Sequence, residues 1–178
     1  MKELRWALKV LGTAARVLGG KESTREALES ARAGVEIFHF AGHSISADGD
    51  AGLLLASSEG GDSGGDLLKG SRLLGQDWRH CSLAVLSACS TGTGERNGFV
   101  NPESLVRAFL NAGAGRVIAS RWNVDTAATA GVMGRFYQSV LEGALPSSAL
   151  RGAAEALRKE PATAHPYYWA AFQLFGHK

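Results

Sequence analysis

The chain has 178 residues, enough for a single domain with one substantial core. Its 19 basic and 17 acidic side chains leave a formal charge of only +2, which gives no reason to expect a nucleic-acid or membrane-surface partner. Two cysteines outside any C-x-x-C arrangement fit a reducing compartment, and no apolar run approaches the roughly 20 residues of a membrane span. Lys2, Arg5 and Lys9 interrupt the apolar residues at the start, so no signal peptide is read there and a cytoplasmic location is expected.

Leu4, Ala7, Leu8 and Leu11 recur at helical spacing and predict an amphipathic first helix. A short strand is expected over residues 15–18, followed by a turn at Gly19-Gly20. Ser23-Thr24-Arg25-Glu26 reads as a capping box in which the Ser23 hydroxyl opens a helix over residues 24–33. Gly34 ends that helix. The apolar stretch Val35 to Ala41 predicts a strand covered on both faces, delivering Gly42-His43-Ser44 at its carboxyl end.

Residues 44–50 read as loop, 52–56 as a short strand, and the run Gly60-Gly61-Asp62-Ser63-Gly64-Gly65 as surface loop, the whole insertion from Ser44 to Gly65 being expected to rim the site. A short helix is expected over residues 71–76, with Leu73 and Leu74 inward. Leu83-Ala84-Val85-Leu86-Ser87-Ala88 then predicts a buried strand that stops at Cys89 and a glycine-rich loop. In open α/β sheets ligands bind in the crevice outside the carboxyl ends of the strands, so His43 and Cys89 are expected side by side if their strands are parallel neighbours.

Pro102 suits the first position of a helix running to Ala112 and closed by Gly113. Arg116 to Ser120 is the next strand. Asp125 or Thr126 caps a long helix burying Val132, Met133, Phe136, Val140 and Leu141. A further helix over residues 147–158 carries Leu150, Ala154 and Leu157, and a last strand is expected over residues 168–175. The alternation of strands and helices predicts a largely parallel sheet with helices on both faces.

Four residue sets invite a chemical reading. A thiol with an ordinary pKa near 8.5 is only a few per cent thiolate at pH 7, so Cys89 needs a neighbour such as the His43 imidazole to act as a nucleophile. The plainer reading is a cysteine that merely ends a buried strand. A histidine roughly 50 residues upstream of a cysteine is a loose pattern on its own. His39-x-x-x-His43, with Cys81 or Cys89, has the spacing of metal ligands on a helix, whereas it lies in a strand with no convincing further ligands; no metal is expected, and His39 is read as packed below the site. Gly92-x-Gly94-x-x-x-Gly98 misses the dinucleotide fingerprint, so nucleotide binding is a distant third reading and no cofactor is expected. Tyr167, Tyr168, Trp169, Phe172 and Phe175 read as packing aromatics.

Five ordered blocks, Phe38-His39-Phe40-Ala41-Gly42-His43, Leu86-Ser87-Ala88-Cys89-Ser90-Thr91-Gly92, residues 107–114, residues 119–125 and residues 165–172, resemble the CHAT domain, a prokaryotic relative of separase within the caspase-like cysteine peptidases. The resemblance spans residues 12–176. It implies a caspase-like αβα sandwich with a largely parallel central sheet, a catalytic dyad of His43 and Cys89, and peptide-bond hydrolysis through a thioester. It also implies an oxyanion hole from the backbone amides of Ser44 and Cys89. Ser44 stands where the family usually has Gly, and Ser90 where it usually has Glu.

The family normally carries one further strand before the first helix, so the chain is expected to be a single CHAT-like domain, N-terminally incomplete and excised from a longer protein with tetratricopeptide repeats upstream. The resemblance further implies a basic residue before the scissile bond. Asp125, in a loop expected at the same sheet edge as Cys89, is the candidate to bind it; an Asp before Thr126 is equally an ordinary helix cap. The function read from these features is a cysteine endopeptidase acting on a protein or peptide substrate and latent without its partner module. The alternative is a silent CHAT-like scaffold or regulatory binding domain.

Overall fold

A computed structural model describes residues 12, 15–47, 50–58, 65–90 and 102–176, with the backbone alone for Ser46, Ala47, Cys89, Ser90, Pro102 and Glu103. The expected first helix and both glycine-rich stretches, residues 60–64 and 92–98, lie outside the described residues. Strands β1 (Ile37–Ala47), β2 (Asp50–Leu55), β3 (Asp66–Lys69), β4 (Leu83–Ser90), β5 (Arg116–Ser120) and β6 (Phe172–Gly176) form one sheet in the order β3-β2-β1-β4-β5-β6. β1, β4 and β5 run parallel, and β2 and β3 join by antiparallel ladders. The helices are α1 (Arg25–Ala31), α2 (Gly70–Leu73), α3 (Pro102–Asn111), α4 (Thr126–Leu141), α5 (Pro146–Lys159) and α6 (Pro166–Trp169). This is the α/β class expected, consistent with a caspase-like sandwich.

By internal contacts the chain divides into two units, residues 1–17 with 120–174, and residues 18–119 with 175–178. The second unit has its core on one face of the sheet. Phe38 and Phe40 of β1 and Ala84 and Leu86 of β4 alternate onto that face and meet Leu105, Val106 and Phe109 of α3. Trp78 seals this core, its ring centroid 4.9 Å from Phe109 and 5.1 Å from Phe38, both edge to face. In the first unit α4 and α5 pack through Val132, Met133 and Phe136 on one helix and Ala149, Leu150, Ala153 and Leu157 on the other, all buried.

Several local expectations need correction. Residues 15–18 form no strand, and Thr24, not Ser23, caps α1: its hydroxyl accepts from the Ala27 amide at 3.2 Å, while Ser23 Oγ donates to the Leu18 carbonyl. Residues 44–47 are not loop. They extend β1, because β2 folds back along it with Ser44 opposite Leu53 and Ala47 opposite Asp50. β1 is half-buried, unlike β4, whose residues 83–87 are all buried. Leu74 falls just past the end of α2 and points outward, and Leu141 at the end of α4 is also exposed. Tyr168 and Trp169 belong to α6, so the last strand starts at Phe172. Among the described residues no helix is long and apolar enough to cross a membrane.

Candidate active site

Everything in the site follows from the β1·β4 ladder. Leu83 to Leu86 is an apolar run that burial on both faces makes the central strand, and β1 lies beside it in parallel from the Ile37–Leu83 pair to the Ser44–Ser90 pair. Within that register His43 is opposite Cys89. Paired positions of a parallel ladder share a face, and adjacent strands lie about 4.8 Å apart. The ladder from β4 to β5 ends at Leu86–Ala119, so the 43/89 rung stands three residues beyond it, at the carboxyl end of the sheet. His43 is exposed there.

Alternation along β1 puts Phe38 and Phe40 in the core and His39, Ala41 and His43 on the other face. Gly42, which sequence reasoning passed over, makes this possible. A Cβ at that position would lie 2.7 Å from Cζ of Phe40, closer than real Cβ contacts come. A side chain at residue 42 therefore forces the Phe40 ring to shift. The sequence signal was the small pair Ala41-Gly42 between an aromatic and a histidine.

Ser44 follows His43 but does not leave the sheet. It is buried, with Leu53 of β2 on one side and Ser90 of β4 on the other. His39 is half-buried, two residues below Ala41 and opposite Val85. Among the described residues no group of three or more His, Cys, Asp and Glu side chains gathers as a metal site.

Cys81 lies two residues before β4, at the other end of the strand from Cys89. It is a free, buried thiol. Burial pushes its pKa up, against hydrogen bonds with the backbone of Phe38 and Leu83. A thiol held protonated in this way is a poor nucleophile.

Asp125 is the N-cap of α4. Its Oδ1 accepts from the amides of Ala127 at 2.9 Å and Ala128 at 3.0 Å, satisfying two donors at the start of the helix. The carboxylate is otherwise exposed. Its loop is tied down within its own unit: Arg121 N donates to the Ala171 carbonyl, Trp122 Nε1 to that of Tyr167, and Tyr167 Oη to that of Asn123 at 2.6 Å. These aromatics do more than pack, which the cluster 167–169 alone did not reveal.

A family model described as CHAT domain matches residues 1–177. The chain belongs to the CHAT domain family. Two relatives are similar over part of this CHAT domain: tetratricopeptide repeat protein 28 of Mus musculus, 39% identical over 97 residues, and its namesake from Homo sapiens, 42% identical over 73 residues. The aligned segments make up 53% and 41% of this chain, but only 4% and 3% of those much longer proteins.

Proposed function

We propose that this CHAT domain is a cysteine endopeptidase with His43 and Cys89 as its catalytic dyad. His43 removes the thiol proton and the Cys89 thiolate attacks the carbonyl carbon of the scissile peptide bond. The tetrahedral oxyanion is held by the backbone amides of Ser44 and Cys89. Collapse breaks the C–N bond, the amine leaves with the proton from the His43 imidazolium, and a thioester remains on Cys89. A water deprotonated by His43 then hydrolyses the thioester and restores the thiol. The observation that carries this reading is the register of the β1·β4 ladder, in which His43 is opposite Cys89 at the carboxyl end of the sheet.

The remaining parts of the reading rest on the family resemblance. Asp125 selects a basic residue before the scissile bond. The substrate is a protein or peptide in the cytoplasm, and a tetratricopeptide-type module upstream relieves latency, a context in keeping with the name of the two relatives. The test is incubation with a peptide library, with and without the upstream region. Cleavage that falls at least about a thousand-fold in Cys89→Ala supports the reading. Absence of cleavage in both forms, with an inert Cys89 thiol, replaces it with the scaffold function.

A further inference from the structure

The direction of every backbone N–H along β1 is fixed by one bond at its start. The carbonyl of Glu36, the residue before β1, accepts from the Leu83 amide at 3.2 Å, so residue 36 faces β4. The N–H and C=O of a strand residue leave on the same side, and successive residues alternate between the two neighbouring strands. Even-numbered residues of β1 therefore face β4, odd-numbered ones face β2, and in β4 the odd-numbered residues face β1.

The ladder continues in register through the 43/89 and 44/90 rungs. At its end the Cys89 amide donates to the Gly42 carbonyl, and the Ser44 amide donates to the Cys89 carbonyl. These are the two amides assigned above to the oxyanion. An oxyanion hole needs N–H groups aimed at the oxygen. Here both N–H groups point along the sheet at strand carbonyls.

The neighbourhood holds this end of β1 in place. Residues 44–47 pair with residues 50–53 of β2, and Ser44 is buried between Leu53 and Ser90. β2 is itself fastened at its first residue, where Asp50 Oδ2 accepts from the Ser71 amide of α2 at 3.0 Å. Ser44 also has a Cβ where the family usually has Gly, which makes extended backbone less costly to keep.

We propose that the end of β1 is an inhibitory latch. With residues 44–47 held by β2 and Ser44 by β4, the domain is latent; it becomes competent when β1 and β4 part from the 43/89 rung outward and free both amides. The inference rests on the peptidase reading and adds the contact that must break.

Amide hydrogen exchange at residues 44 and 89, read by NMR beside peptide cleavage, tests it in the wild type and in Ser44→Gly. Gly keeps the amide but holds a strand less well. In the wild type both amides are expected to exchange at least about ten-fold more slowly than unprotected ones. Ser44→Gly is expected to lower protection at residue 44 about two- to five-fold and to raise cleavage by a similar factor. Unprotected amides in the wild type, or lower protection in Ser44→Gly without faster cleavage, overturns the latch alone. Protected amides with no cleavage by either protein or with the upstream region attached overturns the peptidase reading, and the latch with it. If Ser44→Gly does not fold, the wild type with and without the upstream region decides: protection that falls as cleavage rises supports the latch, and unchanged protection beside faster cleavage overturns it.

Discussion

Asp125 serves two roles in this account, and two substitutions separate them. As the cap of α4 it accepts two amide hydrogen bonds through one oxygen; in the proposed function its carboxylate also receives a substrate's Arg or Lys. Asn caps a helix about as well as Asp, so Asp125→Asn keeps the cap and removes only the charge. Asp125→Ala removes both. Loss of the cap costs about 1 kcal/mol, which for a domain of this size lowers Tm by about 2–4 °C. Loss of the charge leaves a substrate cation unpaired; if binding desolvates it, the cost is at least about 2 kcal/mol, or roughly 30-fold in kcat/KM for Arg over Leu peptides. The assay is thermal unfolding of all three proteins beside cleavage of matched Arg, Lys, Asp and Leu peptides. Asp125→Asn is expected to hold Tm within about 1 °C and to lose the preference for basic residues. An Asn variant with undiminished preference refutes the specificity role and leaves Asp125 a helix cap alone.

Iodoacetamide near neutral pH followed by peptide mapping is expected to modify Cys89 well before Cys81, whose burial raises its pKa and blocks the reagent; equal rates would contradict an activated dyad. Phe109→Ala removes a fully buried ring in contact with Phe38 and Trp78 and is expected to cost about 3–5 kcal/mol in denaturant unfolding. A cost under about 1 kcal/mol would show that the α3 core is not where the stability lies. The chain without its upstream region is expected to cleave peptides more slowly than the longer protein, and equal rates would remove the case for latency.

The parts legible in the sequence are those where local signals and tertiary needs agree. β5 spans Arg116–Ser120 around the apolar run Val117–Ala119, as expected, and Pro102 and Gly113 bracket α3, Gly113 taking φ +108°. The pairing of His43 with Cys89 needed only two apolar runs and the assumption of parallel neighbours. What was not legible depends on partners distant in sequence. The alternation in Ser44-Ile45-Ser46-Ala47 is too short to mark a strand by itself; those residues are extended with β2 paired against them. β3 is four residues long and exists through its ladder to β2, where Leu68 and Leu53, both fully buried, face each other. Leu74 and Leu141 kept the apolar rhythm of their helices but fall at or past the last turn, where the chain leaves the core.

The dyad itself is tested most directly by the pH dependence of Cys89 alkylation in the wild type and in His43→Ala. An imidazole beside the thiol stabilises the thiolate, so the wild-type rate is expected to rise through an inflection below about 7.5, and removal of His43 to return it to about 8.5. The same inflection near 8.5 in both proteins would contradict the account.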